Sequence, residues 1–257
     1  MTAPEVSPRE LARRAAAEFV GTGLLVAVIV GSGIAAQSLS VDNGLRLLEN
    51  ALATAGGLAV LILVLGPVSG AHLNPVVSLA DWWLGRACRS GLTGRQLGVY
   101  LPAQCAGGIC GAILANVMYA EPLVGWSQHQ RSGANLLLSE IVATAGLVVL
   151  IFALVRGQRF SVIPWAVGAY IGAAYWWTSS TAFANPAVTI ARAFSDTFAG
   201  IAPSSVPGFV AAQLVGLLVG VAGVLAFLPG AGLVAGDVIV PHPERDTEPA
   251  KLESNHD

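Results

Sequence analysis

The stretch Ser69-Gly-Ala-His-Leu-Asn-Pro-Val-Val-Ser-Leu-Ala-Asp-Trp-Trp83 places an Asn-Pro pair, which should end a helix, in the middle of apolar sequence. The pair returns in Thr181-Ala-Phe-Ala-Asn-Pro-Ala-Val-Thr-Ile-Ala-Arg-Ala-Phe194. Asn is a strong N-cap residue, and Pro is tolerated at the first helical position, where no backbone N–H is needed. Each Asn-Pro therefore starts a helix rather than breaking one. The runs that follow, 74–84 and 185–195, would each cover about 16 Å at ~1.5 Å per residue. That is near half of a ~30 Å hydrocarbon core, the length of a re-entrant half-helix.

The surrounding chain supplies the membrane. Hydrophobic residues make up 54% of the 257 and charged residues 11%, against about 25% charged in soluble domains. Six apolar runs, 15–36, 47–66, 96–118, 134–155, 161–182 and 206–228, approach the ~20 residues that cross a bilayer. Arg13 and Arg14 precede the first like the start of a signal peptide, but its uncharged run from Phe19 to Ala36 exceeds a usual h-region of about 7–15 residues and lacks a cleavage pattern. It reads as a retained helix. Six spans put both termini on one side, and Lys and Arg accumulate on the cytoplasmic side. Arg9, Arg13, Arg14, Arg86, Arg89, Arg95, Arg156 and Arg159 fall on the terminal side, against Arg46, Arg131 and Arg192 on the other. Both termini are expected in the cytoplasm of a cell with this protein in its inner membrane. The polar stretch 236–257 reads as a disordered tail, and 1–235 as one transmembrane domain.

The net charge of -2 shows no basic nucleic-acid surface. Cys88, Cys105 and Cys110 lack metal-ligand spacing, and their odd number argues against a disulfide framework, so they read as packing residues. No metal or cofactor is expected, and no nucleophile or catalytic dyad is apparent.

The chain is written twice. Glu18-Phe-Val-Gly-Thr-Gly23 matches Glu140-Ile-Val-Ala-Thr-Ala145, and Gln104-Cys-Ala-Gly-Gly-Ile-Cys-Gly111 matches Gln213-Leu-Val-Gly-Leu-Leu-Val-Gly220, with one Asn-Pro between the members of each set. Each repeat, 11–118 and 134–228, holds three spans, so the second enters from the opposite face and the topology is inverted. The fold expected is an all-α membrane protein of six transmembrane helices and two half-helices meeting N-terminus to N-terminus near the midplane. Irregular backbone at that depth requires burial in protein or a water-filled cavity. Glu18 and Glu140, one per repeat, are placed to accept hydrogen bonds from the non-helical backbone before each half-helix; Gln104 and Gln213 read similarly. The glycine pairs beside these glutamines are close-packing surfaces between helices. Trp82, Trp83, Trp176 and Trp177 read as interfacial anchors, and His129 as solvated.

On these residues the sequence resembles the aquaporin and glycerol-facilitator family, the major intrinsic proteins, over about 220 residues from Glu18 through the sixth span. The resemblance implies a passive channel and a homotetramer with one pore per subunit. Asn74, Pro75 and Val76, and Asn185, Pro186 and Ala187, would form the paired pore motifs, with the Asn amides donating to a passing solute. Gly70, Ala71, His72 and Leu73 and the stretch from Thr181 through Phe183 and Ala184 would line the path, His72 near the cytoplasmic entrance. Two converging helix N-termini, each worth roughly +0.5 charge, would oppose cations and protons.

Two departures bear on selectivity. The first motif reads Asn-Pro-Val, and Val188 stands where family members carry an arginine. Ungapped spacing puts the remaining constriction positions at Thr54, Ala173 and Ala182; a one-residue slip would give Ala53 or Gly172. These small side chains imply a wide, weakly polar filter that passes glycerol-like polyols, urea or neutral metalloid acids such as arsenite or methylated arsenicals besides water. Some bacterial members with unusual second motifs act on arsenicals. Arg192, one turn beyond Val188, could line an outer vestibule; the favoured alternative is that it pairs with Asp196 or faces interfacial water. An ion-coupled transporter, which also uses inverted repeats and broken helices, is the competing function.

Overall fold

A computed structural model describes residues 6–86, 88 and 90–230; the expected tail at 236–257 and Arg89 lie outside them. Eight α-helices are present among the described residues: α1 (Pro8–Leu39), α2 (Asn43–Ser69), α3 (Pro75–Gly85), α4 (Gly94–Met118), α5 (Ala134–Arg156), α6 (Ile163–Trp177), α7 (Pro186–Ala191) and α8 (Val206–Phe227). No strand occurs among them. Five helices are long and apolar enough to cross a membrane by length and composition: α1, α2, α4, α5 and α8 with its leading turn. The fifth span, expected over 161–182, is shorter. A 3-10 turn over Phe160–Val162 leads into α6, which stops at Trp177.

Local sequence fixes the ends. Ser7 accepts from the Glu10 amide ahead of Pro8, Asp42 caps α2 through the Leu45 amide at 2.8 Å, and Thr93 and Gln96 form a reciprocal capping box on α4. Such caps contribute about 1 kcal/mol each. α2 ends at Gly70 (φ 88°), a left-handed position that glycine adopts without penalty.

The repeat is visible in the packing. α1 lies along α4, and α5 along α8, while α2 and α6 meet across the repeats. A Cβ at Gly107 or Gly111 would overlap the carbonyls of Phe19 and Gly23, and one at Gly216 or Gly220 would crowd those of Ile141 and Ala145. The two glycine pairs thus let backbones touch in corresponding places, as small residues do between membrane helices. Outside this core the helices expose apolar side chains such as Leu52, Val60 and Val64 on α2 and Leu218 and Leu225 on α8. A surface of that kind faces lipid.

Candidate functional site: a lumen between the two half-helices

The half-helices are held from within. Asn74 caps α3 by accepting from the Val76 amide at 3.0 Å, and Asn185 caps α7 by accepting from Ala187 and Val188 at 3.0 and 3.2 Å. Their amide nitrogens cross over. Asn74 Nδ2 donates to the Ala184 carbonyl and Asn185 Nδ2 to the Leu73 carbonyl, both at 2.8 Å. The two inner ends therefore meet. An NH2 group carries two protons, so each asparagine retains one donor toward the lumen both of them line.

The segments before each asparagine are irregular in the same way. Gly70, Ala71 and Leu73 have positive φ, and so do Thr181, Ala182 and Ala184 at the corresponding places. Left-handed backbone on non-glycine residues costs of order 1 kcal/mol each and persists only where surroundings over-determine it. Here the surroundings are carboxylates. Glu18 accepts from Ser69 Oγ (2.6 Å), the His72 amide (3.0 Å), the Leu73 amide (2.7 Å) and Gln104 Nε2 (2.7 Å). Glu140 accepts from the Phe183 amide (2.9 Å), the Ala184 amide (2.8 Å) and Gln213 Nε2 (2.7 Å). All four of Glu18, Glu140, Gln104 and Gln213 are fully buried away from the lumen. Sequence comparison missed one further pair. Ser78 and Thr189, each four residues after its asparagine, receive hydrogen bonds from Gln104 and Gln213 at 2.9 and 2.8 Å. The words Asn-Pro-Val-Val-Ser and Asn-Pro-Ala-Val-Thr carried that signal.

Between these arms and α1, α2, α5 and α6 runs a narrow cavity of about 90 Å³. One wall is polar: Gly70 to Asn74, Ala182 to Asn185, and His72, whose Nδ1 is 3.0 Å from Ser78 Oγ. The other wall is aliphatic, with Leu58 and Ile62 of α2, Leu147 and Ile151 of α5, and Val167 and Ile171 of α6. Along most of this length a solute shedding water finds acceptors and donors on one side, and toward one end the Thr54 and Tyr175 hydroxyls add polar groups to the other. Pro75, Val76, Pro186 and Ala187 are buried behind the lining.

Toward the end opposite the start of α1, Thr54, Ala182 and Val188 line the cavity. Ala173 does not: it is exposed on the outer side of α6, and the alternative Gly172 packs against Ala55 of α2. Counting back from Asn185 crosses the non-helical stretch 178–185, which has no fixed helical phase, so the spacing pointed to the wrong face. The face that meets the lumen carries Ile171 and Tyr175, four apart. Tyr175 Oη lies 3.2 Å from Thr54 Oγ1, joining α6 to α2 across the cavity wall. The expectation of four small or medium side chains is corrected accordingly: the phenol ring of Tyr175 stands among them.

For Arg192 the favoured alternative is corrected, and the residue lies on the cavity as the vestibule reading expects. It makes no ion pair with Asp196, and it is buried rather than facing interfacial water. Arg192 caps the end of α7, its amide still donating to the Val188 carbonyl, and a 3-10 turn over Arg192–Phe194 follows, so the α-helical spacing does not run on to Asp196. Its Nε donates to the Ala199 carbonyl, its Cζ stands 3.5 Å from the Phe183 ring centroid, and it lines the cavity. Cation–π contacts of this kind contribute about 0.5–2 kcal/mol. Among the described residues no group of three His, Cys, Asp or Glu could hold a metal. Cys88, Cys105 and Cys110 are free thiols.

A family model described as major intrinsic protein matches residues 5–179. The aquaglyceroporin AqpS of Rhizobium meliloti (strain 1021) is 51% identical over 207 residues, covering 80% of this chain and 86% of that one. The glycerol uptake facilitator protein of Pseudomonas aeruginosa is 34% identical over 132 residues, covering 50% of this chain and 45% of its own. Among solved structures, the aquaglyceroporin from Plasmodium falciparum superimposes with a TM-score of 0.66 at 19% identity, covering 89% of this chain and 98% of its own; that likeness speaks for the fold alone.

Proposed function

Since the chain belongs to the major intrinsic protein family and is a passive membrane channel for small solutes, we propose that its lumen passes neutral polyhydroxy or amide solutes of glycerol size in addition to water. The observation that carries this reading is the one-sided cavity. The non-helical stretches Gly70–Asn74 and Ala182–Asn185, with two asparagine donors, face a largely aliphatic wall, the arrangement suited to a solute with hydroxyls along one edge. Glycerol-like polyols, urea and neutral metalloid acids such as arsenite or methylated arsenicals share that pattern. The glycerol facilitator and aquaglyceroporin relatives support it.

We assign the constriction to Thr54, Tyr175, Ala182 and Val188, with Arg192 beyond them. Repeats 11–118 and 134–228 act as one domain, and the channel works as a homotetramer in the bacterial inner membrane with both termini cytoplasmic. The family and the arginine distribution support these assignments.

The test is light scattering of proteoliposomes under gradients of glycerol, urea and arsenous acid. Entry of at least one such solute down its gradient, unaffected by proton or sodium ionophores, is expected. Water permeation with no solute entry across the panel would reject the reading. Val188→Arg sharpens it: a guanidinium added beside Ala182 should lower the permeability of solutes larger than water more than that of water.

A further inference from the structure

At the mouth opposite the start of α1, segment 119–133 folds over the stretch following α7. The Gly125 and Ser127 amides donate to the Phe194 and Ala193 carbonyls, Ala202 donates to the His129 carbonyl, and the Asp196 carboxylate accepts from the Gln128 amide at 2.8 Å. This seats two arginines on one ring. The Phe183 ring, braced by Phe209 at 5.2 Å, has Arg192 Cζ at 3.5 Å and Arg131 Cζ at 5.1 Å from its centroid.

Each guanidinium is anchored by one nitrogen only. Arg192 Nε donates to the Ala199 carbonyl, and Arg131 Nε donates to the Gly200 carbonyl at 3.0 Å. Among the described residues the terminal nitrogens of both have no hydrogen-bond partner, and the ion pairs present belong to Glu10, at the other end of the molecule. Glu140, the carboxylate behind Phe183, already accepts from Phe183, Ala184 and Gln213. Two cations thus share a partly desolvated corner, neither in an ion pair with a carboxylate, where salt screens little. Burial pushes the Arg131 guanidinium down only to about 10, so its charge persists at neutral pH.

We propose that the terminal nitrogens of Arg131 and Arg192 form a binding site for a small tetrahedral oxyanion at this mouth, and that its occupancy obstructs the passage of neutral solutes. Planar guanidinium forks match such oxygens in geometry and charge. Obstruction follows from Arg192 lining the lumen, while Val188, one turn further in, is aliphatic and gives the anion no second cation to move to. The inference rests on the channel reading.

The full-length protein in proteoliposomes is assayed for glycerol entry with inorganic phosphate or sulfate replacing gluconate at constant ionic strength. Binding is followed separately by the phosphorus-31 line width of phosphate with the detergent-solubilised protein. A saturable fall in glycerol permeability and a broadened phosphate line are expected. Arg131→Gln should raise the half-inhibitory phosphate concentration about tenfold, the loss of roughly one charge-assisted pair. Arg131→Lys should recover part of that shift, and Arg192→Lys, scored against its own uninhibited flux, should weaken inhibition. Glycerol flux indifferent to tens of millimolar phosphate and sulfate overturns the proposal, as does inhibition equal in parent, Arg131→Gln and Arg192→Lys. Labelled phosphate entering vesicles without slowing glycerol overturns the obstruction. A parent that passes no glycerol defeats the channel reading instead, and the line width then still decides the site.

Discussion

α3 runs eleven residues from Pro75 to Gly85, whereas α7 stops after six at Ala191 and continues as a 3-10 turn. At their inner ends the two arms match residue for residue: an asparagine cap, a crossed amide, a buried glutamate, a buried glutamine and a hydroxyl four residues on. At their outer ends they have nothing in common. The first arm ends with Trp82 and Trp83 beneath Arg86, 5.4 Å from each ring. The second carries Phe183, Val188 and Arg192 under a folded-over loop. The symmetric part is the frame that bends the backbone; the asymmetric part can change without disturbing that frame, and it is there that the proposed constriction places selectivity.

The frame should break hardest. Glu18→Leu strands four donors and Glu140→Leu three. At about 1–3 kcal/mol for each abandoned buried donor, either loss rivals a net stability of about 5–15 kcal/mol. Both variants should lose folded protein in the membrane, Glu18→Leu at the lower temperature in a detergent melting assay. Equal melting to the parent would show that the carboxylates do not hold the arms.

Asn74→Asp and Asn185→Asp come next and should be alike. Each keeps its cap acceptor, loses the NH2 that crosses to the opposite arm, and sets a carboxylate oxygen against a carbonyl. A loss of about 1.4 kcal/mol per variant corresponds to a tenfold drop in solute flux. Glycerol permeability at matched membrane abundance measures it, and a large inequality between the two would mean the arms do not share one lumen.

Smaller effects fall on the asymmetric part. Tyr175→Ala should raise permeability to solutes larger than glycerol several-fold with little change for water, since it removes the ring opposite Thr54. Ala173→Leu, two residues earlier on the exposed side of α6, should change neither. Stopped-flow comparison of a polyol series separates them; an effect at 173 without one at 175 would return the constriction to the position that spacing alone gives.

The inverted repeat, the six membrane passes and both half-helix starts were legible in the sequence because they depend on residue type at fixed helical spacing. Asn-Pro needs no tertiary context to start a helix, and Glu18 with Glu140 stood out as charges in apolar runs. Ser78 and Thr189 were equally regular but chemically ordinary. Ala173 failed for a different reason: eight non-helical residues separate Trp177 from Pro186, and phase is lost across them. For Arg192 the favoured alternative failed, because its neighbour in sequence, Asp196, offered a pair at helical spacing that does not exist once α7 turns 3-10. Its actual contacts, Phe183 and Ala199, lie on irregular backbone that no periodicity addresses.

The crossed amides also bear on the order in which the chain can mature. Asn74 and Ala184 are 110 residues apart, and Asn185 and Leu73 are 112 apart. During synthesis the first repeat emerges long before its partner carbonyls exist, and domains and segments generally fold in the order they are made. α1, α2 and α4 can insert and pack early, but the midplane end of α3 has no complete set of partners until the second arm arrives. The first half of the pore is therefore a late contact made by an early segment, and closing it is a long-range step of the kind that slows folding.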